Sequence, residues 1–211
     1  MAQFDPKNHL PDGTEPPSSD NSSIDKKEQN LLPNILLFSL NTIWAERKDW
    51  FLGVNMEVHH RAGARSRVPV VPDAFLSLGV PRLKGDQPRR RYVVWEESEI
   101  VPSLAVEVVA WPPSGEYVEK LETYRKLGVL YYVIYNPNDW TPNDWARDEH
   151  QSFEVYKLVE GRYEQQPGEP VWMPEIGLGI GRYQSTAGGS PVDLLGWFDQ
   201  SGRRFLADAE N

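Results

Sequence analysis

Two carboxylic acids stand where apolar side chains are expected. Asp73 lies between Val70-Val71-Pro72 and Ala74-Phe75-Leu76, and Glu107 between Leu104-Ala105-Val106 and Val108-Val109. Both runs read as buried strands, in which a carboxylate is costly unless a cation or hydrogen-bond donors compensate it. Alternation places residues 71, 73 and 75 on one sheet face, and likewise 105, 107 and 109. If the two strands are neighbours, both acids point into one cleft. Two carboxylates with a backbone carbonyl and water form the hard oxygen ligand set of Mg²⁺ or Mn²⁺. The competing reading pairs each acid with a nearby arginine or leaves it on a solvated face, and spacing alone leaves both readings open.

On the helix that follows, Lys120 and Tyr124 are four residues apart and share a face. Lys120 can reach the same cleft, where an ammonium would orient an attacking water or stabilise charge on a phosphate oxygen. Its alternative is a helix-surface partner for Glu116, four residues earlier. His59 and His60 are adjacent, so on a strand they face opposite sides and cannot chelate one ion together; they read as strand-end surface. The chain has no Cys, which removes thiolate nucleophiles, zinc-thiolate sites and disulfides. Ser103, Ser114 and Thr123 have no His and acid partners in sequence context, so no serine-hydrolase chemistry is expected.

Charge is unevenly spread. The chain carries a net −9, which argues against a nucleic-acid partner until its distribution is considered. Between residues 59 and 91 stand Arg61, Arg65, Arg67, Arg82, Lys84, Arg89, Arg90 and Arg91, against Asp73 and Asp86 alone. The positive charge therefore flanks the Asp73 strand on both sides, as solvated basic loops or as a surface for phosphates.

The elements that must position these residues follow in order. Leu32, Ile35, Leu36, Leu40, Ile43 and Trp44 recur at helical spacing. Pro33 suits the first turn of that helix or kinks it, which leaves residues 25 to 30 open. Trp50 to His59, Val68 to Leu78, Tyr92 to Trp95 and Ser103 to Val109 read as four strands. Glu116 to Leu127 reads as a helix stopped by Gly128, and Val129 to Tyr135 as a strand. A strand, a crossover helix and a strand imply a right-handed parallel unit, hence a mixed sheet. Pro-Asn-Asp-Trp occurs at 137 to 140 and again at 142 to 145, which reads as a loop insertion. Phe153 to Val159 and Arg162 to Gln165 read as a hairpin. Ile176-Gly-Leu-Gly-Ile-Gly181 lacks the lysine and context of a phosphate loop and reads as a turn or edge segment. Residues 190 to 198 suit a short capping helix.

Residues 1 to 24 read as a flexible arm, 25 to 198 as one domain, and 199 to 211 as a polar tail. No basic segment leads into an apolar one at the N-terminus, and no apolar run approaches the roughly 20 residues of a bilayer span. A cytoplasmic protein without membrane contact is expected.

In order and spacing, the Pro72-Asp73 strand, the Val106-Glu107-Val108 strand, Lys120, Tyr124, Gly128-Val129, Tyr131 to Pro137 and Pro174 to Arg182 resemble the Uma-type restriction endonucleases, within the PD-(D/E)XK nuclease superfamily. The likeness runs from about Leu31 to Trp197. It implies a restriction-endonuclease-like α/β core: a helix, three antiparallel strands, a crossover helix and another strand, forming a central mixed sheet flanked by helices, here with added C-terminal strands. It also implies a metal-dependent DNA endonuclease in which Asp73, Glu107 and the Val108 carbonyl hold Mg²⁺ or Mn²⁺ and Lys120 acts on the attacking water. Val109 stands where the superfamily has its lysine, so the resemblance moves that role to Lys120 and leaves a DNA-binding protein without cleavage as the alternative. Some superfamily members add an acid from the first helix, here Glu28. Arg61, Arg65, Arg67, Lys84, Arg89, Arg90 and Arg91 would meet backbone phosphates, with no base-reading module. A homodimer is expected, because one cleft cuts one strand.

Overall fold

A computed structural model describes residues 27–61, 68–109, 115–137, 150–186 and 191–206, with side chains from residue 31 onward. The expectations for the 1–24 arm, for Arg65 and Arg67, for the Glu28 side chain and for most of the Pro-Asn-Asp-Trp duplication lie outside the described residues.

Helix α1 (Lys27–Ile43) is the first element of the described residues, and Pro33 lies inside it rather than in its first turn. Strands β1 (Trp50–Val54), β2 (Val58–His59), β3 (Ala74–Leu78), β4 (Tyr92–Val93) and β5 (Leu104–Val108) follow. The crossover begins as a wide π turn over Glu116–Lys120 and continues as α2 (Leu121–Leu127). Gly128, at φ 88°, ends it in the left-handed conformation and donates to the Tyr124 and Arg125 carbonyls. Strands β6 (Tyr131–Tyr135), β7 (Phe153–Val159) and β8 (Arg162–Gln165) complete a six-stranded sheet of order β1-β3-β5-β6-β7-β8. Only β5 and β6 run parallel in it, as the intervening helix demands, so the sheet is mixed. The helix, three antiparallel strands, crossover helix and strand expected from the sequence are therefore present.

Alternation along β5 sorts the core into two halves. Leu104, Val106 and Val108 face one side with Leu32, Leu36 and Leu40 of α1. Also on that side is a three-stranded sheet of β9 (Val171–Met173), β10 (Leu178–Ser185) and β11 (Val192–Phe198), in the order β11-β10-β9. Trp197 ties it to the helix by donating its indole N–H to the Leu36 carbonyl at 2.9 Å. Ala105 and Val109 face the other side with Phe75, Tyr92, Tyr124 and Tyr132. Glu107 lies in this second row, between two apolar residues.

Several boundaries differ from the expected ones. Residues 192–198 form strand β11 instead of a capping helix. The run Leu194 to Phe198 is compatible with either state by periodicity, and pairing with β10 over Gly179 to Ser185 decides it. β10 is the central strand of its sheet, so the glycine-rich run supplies a turn at Gly177 and then an interior strand, not an edge. The expected Trp50 to His59 strand breaks at Asn55, where φ is 46°. The Val68 to Leu78 strand becomes regular only at Ala74, preceded by a single bridge from Val70 to Val58. The chain beyond Asp199 does not simply leave the fold, since Phe205 packs against the first core half and bonds through its N–H to Trp197. Among the described residues, no helix is long and apolar enough to cross a membrane.

Candidate active site

Strands β3 and β5 are antiparallel neighbours with Ala74 opposite Val106 and Phe75 opposite Ala105. Continuing that register by one residue sets Asp73 opposite Glu107, on the face of Phe75 and Ala105. Asp73 sits just before β3, where the Asn55 N–H holds its carbonyl at 3.0 Å. Its Oδ2 accepts the Val108 N–H at 2.7 Å, a bond that fixes the carboxylate against the end of β5. Its carboxyl also lies within hydrogen-bonding reach of Glu107. Asp73 is half-buried, while Glu107 has no exposed surface.

Two residues of the crossover helix close on Glu107. The Tyr124 hydroxyl donates to Oε1 at 2.5 Å, and the Lys120 ammonium donates to Oε2 at 3.0 Å. Lys120 also reaches Glu116 Oε1 at 3.4 Å. Both readings of this lysine are thus present at once, the cleft and the i−4 partner. Glu116 is no surface partner, because it is itself buried. The Tyr132 hydroxyl anchors the turn below by donating to the Glu116 carbonyl at 2.8 Å. Glu116 was missed as a site residue; its helical spacing to Lys120 was the available signal. Tyr124 was placed on the right face without a partner.

The charges strain against burial. Burial pushes Glu107 up to about 8; the Lys120 charge opposes this, the Asp73 charge adds to it, and the hydrogen bonds from Tyr124 and Lys120 oppose it. Burial also raises Asp73, against the Val108 N–H and the Lys120 charge. For Lys120, burial favours the neutral amine, but the Glu107 and Glu116 charges override it and raise the ammonium above its ordinary value. The lysine therefore stays charged, while burial disfavours charge on the acid pair.

Two crowded carboxylates suit a hard divalent cation, and their oxygens keep lone-pair capacity beyond the donors from Val108, Tyr124 and Lys120. Among the described residues, however, the pair does not converge with a third acid or imidazole as a ready cage. Val109 is buried in the apolar half-core that also holds Tyr124.

The basic residues separate into two groups. Arg90 is exposed. Arg61 is exposed, 3.6 Å from Glu99 and over the Trp95 ring at 4.8 Å, and Lys84 pairs with Glu96. Arg89 and Arg91, by contrast, are buried. The Arg89 guanidinium forks onto Glu97 at 3.0 and 2.9 Å and donates to the Pro81 and Arg82 carbonyls, so it is not presented to solvent. Arg91 lies 3.5 Å from His59, whose ring meets Glu57 at 3.0 Å. His59 and His60 are both buried, not strand-end surface, and this polar cluster takes His59 inward.

A family model named Uma2 and described as "Putative restriction endonuclease" matches residues 24–185. A solved structure described as a "putative nuclease belonging to DUF820", from Anabaena variabilis, is similar at 14% identity, covering 72% of this chain and 74% of that one, with a TM-score of 0.48. No curated protein matches.

Proposed function

The chain belongs to the Uma2 restriction-endonuclease family, and on that premise we propose that it hydrolyses phosphodiester bonds of DNA with the help of Mg²⁺ or Mn²⁺. The observation that carries this reading is the pairing of Asp73 with Glu107 under the Lys120 ammonium. Asp73, Glu107 and the Val108 carbonyl would hold the cation, which would supply a bound water of lowered pKa and polarise the phosphate. Lys120, fixed by Glu107 and Glu116, directs its N–H bonds to the attacking water or to the phosphate oxygen that gains charge. Tyr124 holds the Glu107 carboxylate in one rotamer. Arg61, Arg65, Arg67, Lys84 and Arg90 would neutralise backbone phosphates, and two copies of the chain would serve the two strands of a duplex.

The test is nicking of supercoiled plasmid with Mg²⁺ or Mn²⁺ by the wild type and by Asp73→Ala, Glu107→Ala and Lys120→Ala. Loss in all three is expected, and unchanged activity in all three would sink the assignment. The second reading, a DNA-binding protein without cleavage, is favoured by the buried Val109 in place of the lysine. It predicts DNA retention that weakens with salt and no nicking under any divalent ion.

A further inference from the structure

We propose that Lys120 is the built-in counter-ion of the Asp73 and Glu107 pair, standing in for the divalent cation, and that Glu116 receives the ammonium when the cation binds. The proposal rests on reading the two acids as a metal pair. One ammonium makes two contacts, 3.0 Å to Glu107 and 3.4 Å to Glu116, and both acid side chains are almost wholly buried. Lys120 keeps 28% of its side chain exposed, so it is the least buried of the three. Its charge acts on Asp73 as well. Without it, two neighbouring carboxylates would share a buried site with no cation, which is costly.

A divalent ion on Glu107 repels an ammonium 3.0 Å from the same carboxylate. Glu116 makes the handover local, because the ammonium already bonds to it and needs no new partner. Among the described residues no third acid converges on the pair, and the contact Glu116 makes is to the ammonium. The sign of the effect does not depend on Glu107 staying charged. Loss of the lysine charge relieves more repulsion on a doubly charged ion than on a single proton at Glu107, so exchange of one for the other still favours the ion.

The experiment is calorimetric titration of the full chain with Mn²⁺, without DNA. Lys120→Met is expected to tighten binding by about tenfold or more, because the repulsion removed between an ammonium a few ångströms away and a doubly charged ion exceeds one decade in Kd at an effective dielectric near 20. Lys120→Arg, which keeps the charge, should bind like the wild type. Glu116→Gln should weaken binding several-fold, and most of that loss should disappear in the Lys120→Met background. Binding by Lys120→Met that is unchanged or weaker overturns the proposal while leaving the metal pair intact. So does a Glu116→Gln loss that persists in full without the lysine, since Glu116 would then hold the ion itself. If the wild type and a folded Lys120→Met both bind no Mn²⁺, the metal pair fails and the proposal fails with it. Thermal unfolding of each variant identifies any that does not fold, and Lys120→Gln then replaces Lys120→Met.

Discussion

The Tyr124 hydroxyl meets Glu107 Oε1 at 2.5 Å, joining the crossover helix to strand β5 in the interior of the protein. Both partners are buried, and Tyr124 is itself raised well above its ordinary value, by burial first and then by the Glu107 charge. The hydroxyl therefore remains a donor, and its bond sets the distance between the helix that carries Lys120 and the strand that carries Glu107.

Tyr124→Phe keeps the ring and removes this donor. A buried carboxylate oxygen loses a partner, which costs about 1–3 kcal/mol. Urea unfolding should show that loss, with the midpoint lowered and the slope unchanged.

Stability should depend on pH through Glu107. Its folded-state value of about 8 lies above the ordinary 4.5, so the native state binds the proton more tightly than the unfolded chain does. The stabilisation is full below pH 4.5 and is lost as pH rises through 8. Wild-type unfolding free energy should fall relative to that of Glu107→Gln across this window. A difference that stays flat would contradict a burial cost that exceeds what Lys120 and Tyr124 return to Glu107.

Arg89 and Arg90 should behave oppositely. Arg89→Ala strands the buried Glu97 carboxylate and should cost about 3–5 kcal/mol, read by thermal or urea unfolding. Arg90→Ala should leave stability within about 0.5 kcal/mol. If Arg90 meets a phosphate, its loss should reduce the salt slope of DNA binding by about one, read by fluorescence anisotropy.

Gly53→Ala should be destabilising by about 1–3 kcal/mol, through overpacking. A Cβ at this position would stand 2.3 Å from the Phe75 ring, which cannot swing away because it is buried against Tyr92. Since Phe75 lies two residues from Asp73, the same substitution should weaken Mn²⁺ binding, as calorimetry would read.

Alternation and spacing in the sequence determined a good deal. Strand alternation in the apolar runs around Asp73 and Glu107 gave each acid its face, and the pairing of β3 with β5 then made the two neighbours. The helical spacing of Lys120 and Tyr124 put them on one side of the crossover helix, and Gly128 marked where that helix stops. These features are local, and local sterics and hydrophobic periodicity dictate them. Tertiary structure decided what depends on partners distant in sequence. The run from 192 to 198 became a strand because β10 offered an edge to pair with. Arg89 turned inward because Glu97 and two carbonyls wait for it, while Arg90 beside it stayed in solvent; adjacent arginines carry no sign of which one the fold will take. Whether Glu107 meets arginine or lysine, and whether Glu116 is surface or interior, likewise depended on the docking of one helix against one strand. Burial then raised Glu107, because desolvation outweighs the single ammonium that reaches it.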